Sequence, residues 1–171
     1  MRNELFDRVL GEYRGSIIAG GAVRDWLLDK PIADIDVWAG LDDRPLITSA
    51  PKKDDTYDGV ACIVVAKTTE TRPWCPYPLH IMLTSGGGLE SEPERVLRGF
   101  DYGLCMVAYT QDGLFCTPEF VRDVFYKRLT LVNGTPHTNC RNSGKGDVID
   151  ARIAKLGAKF PGWRFVDGGQ P

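Results

Sequence analysis

The chain has 171 residues, of which 43% are hydrophobic and 26% are charged, with 21 basic and 23 acidic side chains. This length and hydrophobic content suit one domain with its own core, and they exclude a disordered chain, which would combine low hydrophobicity with high net charge. The net charge of −2 argues against a uniformly cationic nucleic-acid binder.

No apolar stretch approaches the roughly 20 residues that a membrane span needs. The N-terminus has acidic residues among its first few positions and no apolar segment typical of a signal peptide. The five cysteines are odd in number and widely spaced, without a CxxC pair. We therefore expect a cytoplasmic protein with reduced thiols and no membrane partner, while the oligomeric state is left open.

The N-terminal part of the sequence alternates helical and extended patterns. Leu5, Phe6, Val9 and Leu10 recur at helical spacing. The predicted order is a helix over 3–13, a buried strand over 16–19, a turn at Gly20-Gly21, a helix over 22–28 and a strand over 35–38.

The remainder predicts more strands, one hairpin and several helices. Asp112-Gly113 is a hairpin signal, and Thr117 is a good N-cap. The predicted elements are a loop over 40–58, a strand over 60–66, a loop over 67–77, a strand over 79–83, a helix over 92–98, strands over 104–109 and 114–116, a helix over 117–127, a strand over 129–133, a loop over 133–146 and a helix over 147–160. This order indicates an α+β fold, a mixed β-sheet flanked by helices, and we expect one domain over 1–171.

The turn at Gly20-Gly21 is the first candidate functional feature. It follows a predicted strand and precedes a predicted helix. Glycine allows strained turns and a close approach of backbone N–H groups to a ligand, and a helix N-terminus favours phosphate. A purely structural turn is an equally good interpretation of the two glycines alone.

The second feature is a pair of carboxylates, Asp34 and Asp36, in the segment DIDVW, whose last four residues are the predicted strand. Residues i and i+2 of a strand point to the same face, so the two carboxylates lie side by side and repel each other unless a cation intervenes. Mg²⁺ prefers oxygen ligands and is commonly held by one or two carboxylates together with substrate phosphates. A phosphate-binding turn followed by such a pair indicates metal-assisted phosphoryl or nucleotidyl transfer.

The stretch GGAVRDWLLDKPIADIDVW resembles the active-site motif of the polymerase-β-type nucleotidyltransferase superfamily. It is most similar to the catalytic head of tRNA CCA-adding enzymes and poly(A) polymerases. The resemblance implies a nucleotidyltransferase fold, two Mg²⁺ ions held by Asp34 and Asp36, and an NTP whose phosphates meet Gly20 and Gly21. Ala22 stands where many members of the superfamily carry Ser.

Three further residues follow from the resemblance. Arg24 and Asp25 lie on the helix after the glycines, where they either bind nucleotide or form a structural ion pair. Asp101, shortly before a predicted strand, is our candidate for a third catalytic carboxylate and metal ligand. Its segment also resembles the RRDFT segment of CCA-adding enzymes, which would instead give Asp101 and Arg98 nucleotide or structural roles. For His80, within LHIML, we expect a structural role.

The charge is distributed unevenly along the chain. Residues 127–164 contain eight Lys or Arg against two Asp, whereas residues 1–126 carry an acidic excess. This basic segment could hold a triphosphate or an RNA backbone, or form a solvated helix face. Lys127 and Arg141, in or beside a Gly/Asn-rich loop, are candidate nucleotide-binding residues.

These features predict a Mg²⁺-dependent nucleotidyltransferase that moves a nucleoside monophosphate from an NTP to a hydroxyl. The acceptor is left open between a tRNA-like or other RNA 3′ end, a protein and a small molecule. CCA-adding enzymes carry further helical domains that bind tRNA, and 171 residues leave little room for them. The alternative is a non-catalytic binding module of the same fold, serving as an antitoxin, adaptor or nucleotide sensor.

Overall fold

The computed structural model describes residues 1–40, 64–84, 89, 92–132 and 147–167. The α-helices are α1 (Glu4–Glu12), α2 (Gly21–Leu27), α3 (Pro93–Leu97), α4 (Pro118–Tyr126) and α5 (Asp147–Lys159), with a 3₁₀ helix at Gly103–Cys105. The strands are β1 (Ile17–Ala19), β2 (Ile35–Gly40), β3 (Val64–Glu70), β4 (Leu79–Thr84), β5 (Val107–Thr110), β6 (Gly113–Cys116), β7 (Arg128–Leu131) and β8 (Arg164–Asp167).

Six strands form a mixed sheet in the order β3-β4-β2-β1-β5-β6. The β2–β4 pair is parallel and the other pairs are antiparallel, while β7 and β8 form a separate parallel pair. The register therefore places the end of β1 beside the starts of β2, β4 and β5 and the end of β6. We call this end of the strands the site end of the sheet. The predicted α+β class with a mixed sheet and flanking helices is confirmed.

The core lies between one face of this sheet and the helices. Ile35 and Val37 are fully buried, and the intervening side chains of β2 are only partly buried. Phe6 of α1 packs edge-on against Trp26 of α2 and Tyr109 of β5, with ring centroids 5.6 and 5.4 Å apart. These contacts hold α1 and α2 against the sheet and so fix the turn between β1 and α2.

Three differences from the sequence-based predictions involve more than two residues. Residues 67–70, predicted as a loop, continue β3, because they pair with β4 and Glu70 is buried in an ion pair with Arg72. The strand predicted over 104–109 begins only at Val107, since 103–105 form the 3₁₀ helix. Strand β8 was not predicted at all. All of the loop predicted over 40–58 except Gly40, which ends β2, lies outside the described residues. The whole loop predicted over 133–146 and the first residues of the strand over 60–66 lie outside them too.

Helix length also bears on membrane insertion. Within the described ranges, no helix is both long enough and apolar enough to cross a bilayer.

Candidate active site

Asp34 and Asp36 lie at the site end of the sheet, as their spacing predicts. Asp34 directly precedes β2 and Asp36 is its second residue, with side chains that are 41% and 32% exposed. The Ile35 amide between them donates to the Pro78 carbonyl at 3.0 Å, which fixes the start of β2 against β4. The two carboxylates are thus held at the start of a central strand and can still be reached by a ligand.

The positive charge near this pair does not offset the effects of burial and of mutual repulsion on Asp36. Burial raises the pKa of Asp36 above its usual value, and the negative charge of Asp34 raises it further. His80 and Lys67 oppose these effects, but the net shift of the Asp36 pKa is upward. A cation between the carboxylates would relieve this repulsion.

His80 belongs to this site, although the sequence analysis assigned it a structural role. It faces Asp36 across the β2–β4 pair, and its Nδ1 lies 3.4 Å from Asp36 Oδ1 and 3.9 Å from Asp34 Oδ2. Its side chain is 22% exposed. The alternation in LHIML indicates that His80 faces away from the core, but only the parallel pairing of β4 with β2 brings it to the carboxylates.

The glycine turn lies at the same end of the sheet. Gly20 has φ +86°, and a Cβ at this position would lie 2.9 Å from Phe100 Cε1, so both the backbone and the space favour glycine. Its N–H donates to the Val107 carbonyl at 2.9 Å. Gly21 opens α2, and a Cβ there would approach only Arg24 Nη2, at 3.7 Å. The structure therefore brings the turn and the carboxylate pair together at the site end of the sheet.

Arg24 and Asp25 are buried on α2 and bonded to each other and to the scaffold. Arg24 Nη2 lies 2.7 Å from Asp25 Oδ1, and Arg24 Nη1 donates to Cys105 Sγ at 3.2 Å. Asp25 also accepts from Lys159 of α5. Burial would lower the pKa of Arg24, but Cys105 and Asp25 outweigh it and the pKa is raised. This geometry favours the structural alternative for the pair.

Asp101 is buried near the site end but its described contacts lead elsewhere. Its Oδ1 accepts from the Tyr102 amide at 3.1 Å, and its Oδ2 lies 3.1 Å from Arg152 Nη1 on α5. Its carbonyl accepts from Val132 N at 2.8 Å. These contacts tie the start of the 3₁₀ helix to α5 and β7. A role as third metal ligand stays a prediction.

The basic segment is divided between scaffold and surface. Arg152 and Lys159 are paired with Asp101 and Asp25, so their charges are used to hold α5. Lys127 is exposed in the left-handed position that ends α4. Arg141 lies outside the described residues.

The donor set suits a divalent cation bound together with its substrate. Among the residues that the structure describes, no group of three or more His, Cys, Asp and Glu is arranged to hold a metal ion by itself. Two adjacent carboxylates are nevertheless what Mg²⁺ needs when phosphates and water supply its other ligands. Asp34 and Asp36 therefore fit Mg²⁺ as partial ligands.

Comparison with known proteins places this site in a recognised fold. The sequence matches no known family profile and no curated protein. Among solved structures, the chain is similar to the Bacillus stearothermophilus CCA-adding enzyme in complex with CTP, with a TM-score of 0.62 and 18% identity over 96% of this chain and 42% of that one. The chain thus has the nucleotidyltransferase fold that its motif implies.

Two further solved structures agree. A CCA-adding enzyme in complex with ATP gives a TM-score of 0.60 at 15% identity, covering 94% of this chain and 37% of that one. The Thermotoga maritima CCA-adding enzyme complexed with tRNA gives 0.62 at 15% identity, covering 93% and 38%. The chain spans about two fifths of the length of these structures.

Proposed function

We propose that this protein is a Mg²⁺-dependent nucleotidyltransferase, which moves a nucleoside monophosphate from an NTP to a hydroxyl acceptor and releases pyrophosphate. The observation that carries the proposal is the meeting of the Gly20-Gly21 turn with Asp34 and Asp36 at one end of the sheet. The fold adds support, because similar structures were solved with CTP or ATP.

Each part of the site has a role in this reaction. The first N–H groups of α2 lack partners within the helix and would face the triphosphate at Gly21. Asp34 and Asp36 would hold Mg²⁺, which supplies charge stabilisation for the oxygens of an in-line displacement. A bond forms between the acceptor oxygen and the α-phosphorus, the bond from that phosphorus to the bridging oxygen breaks, and the hydroxyl proton is lost to a base.

The partners follow from the same chemistry. The NTP is the donor, and the acceptor is an RNA 3′ end, a protein hydroxyl or a small-molecule hydroxyl. An RNA acceptor has support from a structural neighbour that was solved with tRNA. We propose two Mg²⁺ ions, with Asp101 as the candidate for a third carboxylate.

The proposal is tested by the Mg²⁺-dependent transfer of label from α-labelled NTPs to RNA or protein of a cell lysate. Asp36→Asn keeps the size of the side chain and removes its charge. Because stabilisation of charge by one such group amounts to a few kcal/mol, we expect a loss of about 10³-fold or more in the transfer rate.

A matched control is Asp112→Asn. Asp112 is an exposed carboxylate in the hairpin turn between β5 and β6, at the opposite end of the sheet. This variant should transfer label at the wild-type rate. Undiminished transfer by Asp36→Asn, or binding of NTP without transfer of any of the nucleotides, would refute the assignment, and the second result would indicate a non-catalytic module.

A further inference from the structure

The C-terminal end of α4 presents two aromatic rings to solvent. Phe125 and Tyr126 are 76% and 63% exposed, and their rings meet edge-on with centroids 4.9 Å apart. The helix does not need them for anchoring, since Phe120 and Asp123 form its buried side. Exposed apolar side chains that lie together, unlike single ones, can mark an interaction surface.

Basic residues lie on and beside the end of α4 that carries the two rings. The Arg128 guanidinium lies 5.2 Å from the Tyr126 ring centroid. Arg164 is held beside the end of α4, because its N–H donates to the Lys127 carbonyl at 3.1 Å and β8 pairs with β7. We call these residues the α4 surface; they are Arg122, Phe125, Tyr126, Lys127, Arg128 and Arg164.

Nearby acidic charge reaches only part of this surface. Asp123 is fully buried, accepts two hydrogen bonds from Thr130 and lies 3.4 Å from Arg128 Nε. Its carboxylate therefore balances the positive charge of Arg128. Arg122, Lys127 and Arg164 are exposed to solvent. The α4 surface thus combines two solvent-exposed aromatic rings with exposed positive charge.

We propose that the α4 surface binds single-stranded nucleic acid. Bases stack on exposed aromatic rings, and Lys and Arg beside the rings contact the phosphates of the same strand. An apolar protein partner would gain from the rings but would have to desolvate three cations. An acidic peptide would use the cations and leave the rings without a matching partner.

The position of α4 connects this surface with the proposed reaction, and to that extent the inference rests on the proposed function. Thr117 N donates to the Met106 carbonyl at 3.3 Å, so α4 starts at the site end of the sheet, beside the Val107 carbonyl that Gly20 N contacts. A helix of nine residues is about 14 Å long. A strand stacked on the α4 surface could therefore extend towards the site end, which makes a single-stranded end the acceptor class.

The experiment is fluorescence anisotropy with a labelled single-stranded RNA of about 12 nucleotides, without NTP or metal. Phe125→Ala and Phe125→Leu should both weaken binding by about tenfold, because both remove the ring. Lys127→Gln and Arg164→Gln should each weaken binding and lower the salt dependence by about one ion. Arg2→Gln is the matched control, since exposed Arg2 bonds to the Gln111 carbonyl at the opposite end of the sheet.

Three outcomes would overturn the inference. The first is wild-type RNA binding no tighter than that of Phe125→Ala. The second is wild-type RNA affinity in Phe125→Leu, which would show that the ring does not stack on bases, and the third is equal affinity for a duplex of the same sequence. Asp36→Asn should bind the RNA as the wild type does. A wild type that transfers label without binding RNA at this surface would refute the α4 surface and leave the proposed transfer standing.

Discussion

Two acidic positions in one short motif have opposite environments. Asp25 of α2 is buried and shared between Arg24 and Lys159, with 4% of its side chain exposed. Asp36, eleven residues later, lies at the site end of the sheet beside a second carboxylate, and its pKa is raised. The first carboxylate has cations supplied by the fold, and the second stands where a cation from outside would be bound.

The difference shows how the motif divides its work. Arg24 and Asp25 join α2 to α5 and to Cys105, and so hold the helix that begins at the glycine turn. Asp34 and Asp36 contribute a repulsive pair that stabilises nothing by itself. We therefore propose that different carboxylates serve stability and function, and substitutions can separate them.

The largest expected effect on stability is that of Asp25→Ala. Removing this carboxylate leaves Arg24 and Lys159 without their shared partner in a largely buried setting, which costs about 3–5 kcal/mol. For a domain of this size the melting temperature should fall by roughly 10 °C. Thermal unfolding checks this prediction, and a loss below about 1 kcal/mol would show that the ion pairs do not hold α2 in place.

The next effect contrasts the two glycines. Gly20→Ala should cost about 1–3 kcal/mol, because of its positive φ and the approach to Phe100. Gly21→Ala should leave stability unchanged or slightly raised, yet weaken NTP binding, because the added methyl group occupies the space that phosphates would use. Urea unfolding and nucleotide titration of both variants check this. Equal losses of stability would mean that Gly21 is also a structural position.

A smaller effect is expected for Lys159→Met. The variant keeps an apolar side chain of similar length but removes one of the two cations bonded to Asp25. Since Arg24 still pairs with Asp25, the cost should be about 1–2 kcal/mol, clearly below that of Asp25→Ala. Thermal unfolding of both variants side by side gives the comparison. A loss of stability equal to that of Asp25→Ala would mean that the stabilising effect of Asp25 comes from its ion pair with Lys159 alone.

The smallest effect on stability is that of Asp36→Asn without metal. A raised pKa in the folded state means that stability present below the ordinary Asp pKa is lost as the pH rises through the folded pKa. Once ionised, Asp36 therefore opposes folding, and the amide should leave stability within about 0.5 kcal/mol or raise it. Added Mn²⁺ should raise the melting temperature of the wild type but not of this variant. A large fall in melting temperature would make Asp36 structural.

Local patterns were sufficient to place the glycine turn and the carboxylate pair. The alternation in DIDVW placed Asp34 and Asp36 on one face, and Gly20-Gly21 marked the turn, because both signals lie within a few residues. His80 was missed because its approach to Asp36 depends on the parallel pairing of β2 with β4, between residues that are far apart in sequence. The role of Arg24 and Asp25 depended on Lys159, at the other end of the chain.

The fold followed the same rule. Elements with strong periodicity, such as α1 and β2, were predicted within a few residues. The polar residues 67–70 form a strand only because β4 pairs with them and Arg72 neutralises the buried Glu70. Strand β8 forms because it pairs with β7, and the local sequence pattern does not predict this pairing.

The central claim is that this site transfers a nucleoside monophosphate, and the position of the label tests it most directly. The protein is incubated with Mg²⁺, the lysate acceptor and the same NTP labelled in separate reactions at the α- or the γ-phosphate. We expect the α-label on the acceptor and the γ-label in pyrophosphate, and neither product from Asp36→Asn. A γ-label on the acceptor, with a nucleoside diphosphate released, would contradict it.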